Sequence, residues 1–154
     1  MPEFEPFPPI GLRKLSSADC ALFWERYVAL RPGLRLLRGN RYSRWRAVAG
    51  TDLFISLYLT NRSVGLFVRG ERGLSLKGAA RKLDLYEPRI GRALGVAAAS
   101  GGYPYLDRLA LASTDTATWP HAHRWLMERE TFYHAALARV VGGIDVDAAG
   151  QFLQ

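Results

Sequence analysis

The chain predicts an α+β fold, a single domain in the order α-β-β-β-α-β-α in which an antiparallel three-stranded meander is extended by a fourth strand and packed with helices. Strict alternation in Asp52 to Arg69, DLFISLYLTNRSVGLFVR, is the first reason. Leu53, Ile55, Leu57 and Leu59 fall on one side of a strand and Phe54, Ser56, Tyr58 and Thr60 on the other, the period of two that a pleated backbone imposes. The second reason is the apolar spacing of three and four residues on both sides of that stretch, the mark of helices with one buried face. The third is size. The chain has 154 residues, 49% of them hydrophobic, and a domain of about 150 residues hides about 70% of its unfolded surface without a disulfide or metal staple.

Residues 1–12, MPEFEPFPPIGL, carry four prolines and no periodicity, and read as an extended arm that docks by Phe4 and Phe7. The domain is expected over residues 13–143. Ser16 or Ser17 caps a helix running to about Leu30, with Cys20, Phe23, Trp24, Tyr27 and Val28 on its apolar face, and Arg31, Pro32 and Gly33 end it. Gly33 to Asn40 reads as a basic connection and Arg41 to Val48 as the first strand. Its register is open. A two-residue turn at Gly50 and Thr51 puts Arg44 and Arg46 on the aliphatic side, which is costly for unpaired charges. A three-residue loop at Ala49 to Thr51 sets Tyr42, Arg44 and Arg46 beside Tyr58, Ser56 and Phe54 instead. The second register is preferred because it avoids burying arginine.

In the hairpin itself, a turn at Asn61 and Arg62 sets Thr60 opposite Ser63, Leu59 beside Val64, Leu57 beside Leu66 and Ile55 beside Val68, so the aliphatic faces coincide. The reverse face collects Phe54, Tyr58, Phe67 and Arg69 and is either a wet platform or the floor beneath another helix. Leu76, Ala79, Ala80, Leu83, Tyr86, Ile90 and Leu94 follow at helical spacing, as one kinked helix or as two short ones separated near Asp84, since Pro88 interrupts them. Pro104 to Ser113 reads as a fourth strand and Thr114 to Thr118 as a turn. A long helix spans Trp119 to about Val141, burying Trp125, Phe132, Tyr133, Ala136, Leu137 and Val140. An acidic tail, 144–154, completes the chain.

The net charge of +7 is unevenly spread. Residues 31–92 hold 14 Lys and Arg against four acids, a balance of +10, and the rest hold seven against ten, a balance of −3. Six arginines and no acid lie between Arg31 and Thr51, interleaved with Tyr42 and Trp45. Such a patch suits phosphate, so nucleic acid is the expected partner and Arg41, Arg44, Arg46, Tyr58, Arg69 and Arg72 the expected contacts. The bland reading is a solvated basic surface, because 18 of the 21 basic residues are arginine in an Ala- and Gly-rich chain. No run approaches the roughly 18 apolar residues of a membrane span, and the first residues lack the basic start and apolar centre of a secretion signal. A cytoplasmic location without membrane contact is therefore expected. The lone Cys20 reads as a core thiol.

Chemistry is sparse, and neither a catalytic residue nor a cofactor is expected. His123, Glu130 and His134 share one side of the last helix, but Met127 lies between them and no HExxH spacing exists, so no metal site is expected. Glu130 and His134 read as an exposed pair one turn apart. The order helix, three strands, helix, strand resembles the core of restriction-endonuclease-like folds. The stretches LFWERYVALRP, LFISLYLTNRSVGLFVRG, LYEPRIGRALG and ATWPHAHRWLMERETFY are similar, in order, to an uncharacterised domain family found at the C-terminus of such proteins. The resemblance covers most of residues 20–141 and implies the fold and a place in restriction or genome defence. A nuclease of that kind needs an acid and then Glu-x-Lys on the next strand. Asp52 matches the first acid, but the next strand reads VGLFVR and Glu71 is followed by Arg72 and Gly73. The expectation is thus a non-catalytic nucleic-acid-associated module. The alternatives are a protein-interaction or homo-oligomeric subunit and a diverged metal-dependent nuclease.

Overall fold

The structure, a computed structural model, describes residues 14–100, 102–147 and 151. The arm expected over residues 1–12 and most of the tail lie outside them. In chain order the elements are α1 (Ser17–Ala29), β1 (Leu37–Asn40), β2 (Ser43–Ala47), β3 (Phe54–Thr60), β4 (Ser63–Arg69), α2 (Leu76–Asp84), α3 (Arg89–Leu94), β5 (Ala99–Ser100), β6 (Tyr103–Pro104), β7 (Asp107–Ala110) and α4 (Trp119–Val140), the last entered through a 3-10 turn at Thr116–Thr118. The fold is α+β. Five strands form one antiparallel sheet in the order β1-β2-β3-β4-β7, and β5 and β6 pair separately.

Alternation dictates the centre of the sheet. β3 and β4 pair with Thr60 opposite Ser63, Leu57 opposite Leu66 and Ile55 opposite Val68, the register that the Asn61-Arg62 turn requires. Ile55, Leu57, Leu59, Val64, Leu66 and Val68 therefore share one face, and all six are buried in a single core. Against that face lie Phe23, Trp24 and Tyr27 of α1 and Trp119, Ala122, Leu126, Tyr133 and Leu137 of α4. Ser16 starts α1 with a full capping box: its hydroxyl accepts from the Asp19 N–H at 3.0 Å, and the Asp19 carboxylate accepts from the Ser16 N–H at 2.9 Å. Cys20 is buried in the core as expected, and burial pushes its thiol up.

Several expectations need correction. The connection expected over Gly33 to Asn40 holds a strand, β1, paired through Leu37 with Trp45 and Arg38 with Arg44. Gly39 permits this close pairing, because a Cβ there would overlap the Ser43 hydroxyl and the Trp45 indole nitrogen. Of the two alternatives for 76–94 the structure has the two short helices, separated at Leu85 to Pro88, with Pro88 capping α3 without a side-chain hydrogen bond. The strand expected over 104–113 is shorter, Asp107–Ala110. Phe132 is exposed rather than buried, as is Val28 of α1. The buried stripe of α4 runs instead through Trp119, Ala122, His123, Leu126, Glu130, Tyr133, His134, Leu137 and Ala138.

Candidate nucleic-acid interface

The two faces of the sheet divide the arginines. β2 pairs with β3 through Ser43 with Tyr58, Arg44 with Leu57, Trp45 with Ser56, Arg46 with Ile55 and Ala47 with Phe54. This is the register of a turn at Gly50 and Thr51, not the preferred one, so Arg44 and Arg46 lie on the aliphatic, helix-covered side. The cost that argued against it is met by Glu130. That carboxylate is 0% exposed and accepts from Arg46 Nη1 at 2.8 Å to both oxygens, and from Arg31 Nη1 at 2.9 and 3.1 Å. A carboxylate shared by two guanidiniums satisfies buried charge that none of the three would tolerate alone. Arg46 itself is only 4% exposed.

Glu130 and His134 are consequently no exposed pair. His134 is buried, and its Nε2 accepts from the Ala49 N–H at 3.2 Å. Burial first, then the charges of Arg46 and Arg31, push its imidazole down to about 4. His123, also on the buried stripe, meets the Phe23 carbonyl at 3.0 Å through Nε2, and burial lowers it too. The three residues that share one side of α4 thus each have their own partner. Among the described residues no group of three His, Cys, Asp or Glu is placed to hold a metal ion.

Arg44 lies on the same side, between Arg38 of β1 and Leu57 of β3. Its guanidinium sits 5.4 Å from the Trp24 ring centroid and donates from Nη1 to the Asn40 and Ser43 carbonyls, both at 2.8 Å. Burial first, then Arg38, lowers it. Arg41 lies in the β1-β2 turn, where it donates to the Ser17 hydroxyl and covers the Tyr42 ring at 5.0 Å. Of the six contacts expected from the sequence, Arg41, Arg44 and Arg46 are therefore placed away from the reverse face.

The other three come together on that face. Arg69 lies opposite Phe54, with its guanidinium 3.9 Å from the Trp45 ring centroid and 6.0 Å from that of Phe67. Arg72, just past the end of β4, lies 4.5 Å from the same Trp45 ring and donates to the Arg38 carbonyl. Two guanidiniums thus address one indole, an attraction of ring for cation offset by repulsion between the cations. Burial first, then Arg72, lowers Arg69. No carboxylate of the described residues lies within ion-pairing distance of either. Glu71, between them in sequence, lies 3.4 Å from Lys82, which also holds Asp52. The two acids named in the nuclease comparison therefore meet at one exposed ammonium, with no third ligand among the described residues.

Tyr58 completes the face. Its ring lies across Gly65, the residue opposite it on β4, and occupies the space a Cβ there would need. Beyond it the rings continue, Tyr58 to Phe67 at 6.3 Å and Phe67 to Tyr103 of β6 at 4.9 Å. Arg108, exposed on β7, pairs with Gly65 and so shares this face. The covering is partial: Trp45, Ser56 and Phe67 are buried, Phe54, Tyr58 and Arg69 half-buried, and Tyr103 is 44% exposed. Sequence reasoning missed Arg108 and Tyr103. The signal for Arg108 was alternation on the last strand, where it falls on the side opposite Leu109 and Leu111. No helix among the described residues is long and apolar enough to cross a membrane.

Comparison of the chain with protein-family models, with curated proteins and with solved structures returned no match, so the arrangement of charge and rings on the reverse face carries the functional reading.

Proposed function

We propose that the protein is a non-catalytic nucleic-acid-associated module that binds through the reverse face of its sheet, with Arg69, Arg72 and Arg108 meeting phosphates and Tyr58 and Tyr103 meeting bases or sugars. The observation that supports this most is the pair of guanidiniums on Trp45 without a carboxylate partner among the described residues. Two cations held together in a chain of net charge +7 favour an anion that spans them, and a phosphate backbone offers such anions at regular spacing. An accessory place in restriction or genome defence is part of this proposal and rests on the resemblance of the framework stretches alone, since no family model matches the chain.

Fluorescence anisotropy with a labelled oligonucleotide tests the reading. Arg69→Met with Arg72→Met keeps apolar cover over Trp45 and removes both charges, and it is expected to weaken binding at least about tenfold, since each hydrogen bond to a charged group is worth about 1.5 kcal/mol or more. Arg44→Met, on the opposite face, is expected to leave affinity unchanged. Equal losses in the two variants would reject this surface. Self-association is the competing use of the same face. It predicts that polar replacement of Phe54 and Phe67 splits an oligomer seen by light scattering and leaves oligonucleotide affinity untouched.

A further inference from the structure

We infer that the nucleic acid taken by this face is single-stranded, and that Tyr58 and Tyr103 select it by stacking on unpaired bases. The inference rests on the reading above and adds the substrate class. Three rings, Tyr58, Phe67 and Tyr103, follow one another from β3 across β4 to β6 at centroid spacings of 6.3 and 4.9 Å. The row exists because of Gly65. With no side chain there, the Tyr58 ring lies along the sheet over the neighbouring strand instead of standing away from it. The far end of the row, Tyr103, is 44% exposed. Cations flank the rings on both sides: Arg108 sits opposite Gly65, and Arg69 lies 6.0 Å from the Phe67 centroid.

Charge and rings on one face are of unequal use to different nucleic acids. A duplex keeps its base faces stacked inside and presents phosphates, sugars and base edges, so it engages Arg69, Arg72 and Arg108 but offers no base face for the rings to stack on. A single strand presents both, and every base has a face to stack whatever the sequence. The placement of rings between cations therefore favours the single strand, in which phosphate and base alternate along the chain.

The test compares three labelled probes by anisotropy at one salt concentration: oligodeoxyuridylate, oligouridylate and a hairpin duplex of DNA. At least one single-stranded probe is expected to bind about tenfold or more tightly than the duplex, and the two single-stranded arms report whether deoxyribose or ribose is preferred. Tyr103→Ala, at an exposed position, is expected to weaken single-strand binding severalfold and leave duplex binding unchanged. Gly65→Ala, which forces the Tyr58 ring off the strand while the backbone there stays permissive, is expected to do the same. Equal affinity for duplex and single strand, or equal losses on both in Tyr103→Ala, would overturn the single-strand inference and leave the nucleic-acid reading standing. Absence of binding to all three probes would overturn both.

Discussion

Glu130→Gln is expected to destabilise the protein by about 3 to 5 kcal/mol, the range for removing one partner of a buried ion pair, and to lower its melting temperature by roughly 10 °C or more. The carboxylate is fully buried between Arg31 and Arg46, and glutamine leaves two guanidiniums facing each other in the core with no countercharge. Arg46 cannot swing out to water, because its strand is held on both sides by β1 and β3. The loss belongs to the broken pair rather than to any large net worth of the charges. Replacing all three together, Arg31→Met, Arg46→Met and Glu130→Leu, is expected to recover most of the stability, as apolar substitution of buried ionic triads does. Urea denaturation of the two variants checks this. A cost below about 1 kcal/mol for Glu130→Gln would mean that the guanidiniums find other partners.

The second large effect is on pH dependence, and it arises next to the first. His134 has an ordinary value of 6.5 and is held at about 4 in the fold. Above 6.5 the imidazole is neutral in both folded and unfolded chains and contributes no pH dependence. As pH falls from 6.5 to about 4 the unfolded chain takes up the proton and the folded one does not, so folding stability drops across that window. The drop is on the order of 3 kcal/mol for His134. His123 is lowered as well and acts in the same direction. His134→Gln keeps an acceptor for the Ala49 N–H and removes the titration. Denaturation series at neutral and acid pH are expected to show a smaller loss of stability in the variant than in the native protein. An identical loss in both would show that His134 is protonated as readily in the fold as in the unfolded chain.

The hairpin of β3 and β4 was legible residue by residue, because alternation and turn length are local and leave one register that aligns the apolar sides. The register of β2 was not, and the reason is specific. Two residues in separate elements each broke a local rule: Arg46 at an inward position of a strand, and Glu130 at an inward position of a helix between Leu126 and Tyr133. Taken singly, each was resolved by turning it toward water, through a different loop for Arg46 and an exposed pairing with His134 for Glu130. Together they are complementary charges 84 residues apart, and each accounts for the burial of the other. The usable signal was that both conflicts had opposite sign. β1 was not legible because its four residues, LRGN, carry no apolar alternation, and Gly39 is there as a packing requirement of Ser43 and Trp45. The candidate site was half legible for the same reason. Tyr58 and Arg69 belong to the hairpin and kept their expected face, whereas Arg44 and Arg46 changed sides with their strand.

The dependence of binding on salt tests most directly whether the sheet presents its free positive charge on the reverse face. For a single strand, log K is expected to fall with log salt at a slope of about −0.7 for each phosphate neutralised, near −2 if Arg69, Arg72 and Arg108 each meet one. Arg69→Met with Arg72→Met is expected to make the slope shallower by about 1 or more, and Arg44→Met to leave it unchanged. A slope that is unaltered by the reverse-face pair, or that shifts equally with Arg44→Met, would contradict this assignment of the binding charge.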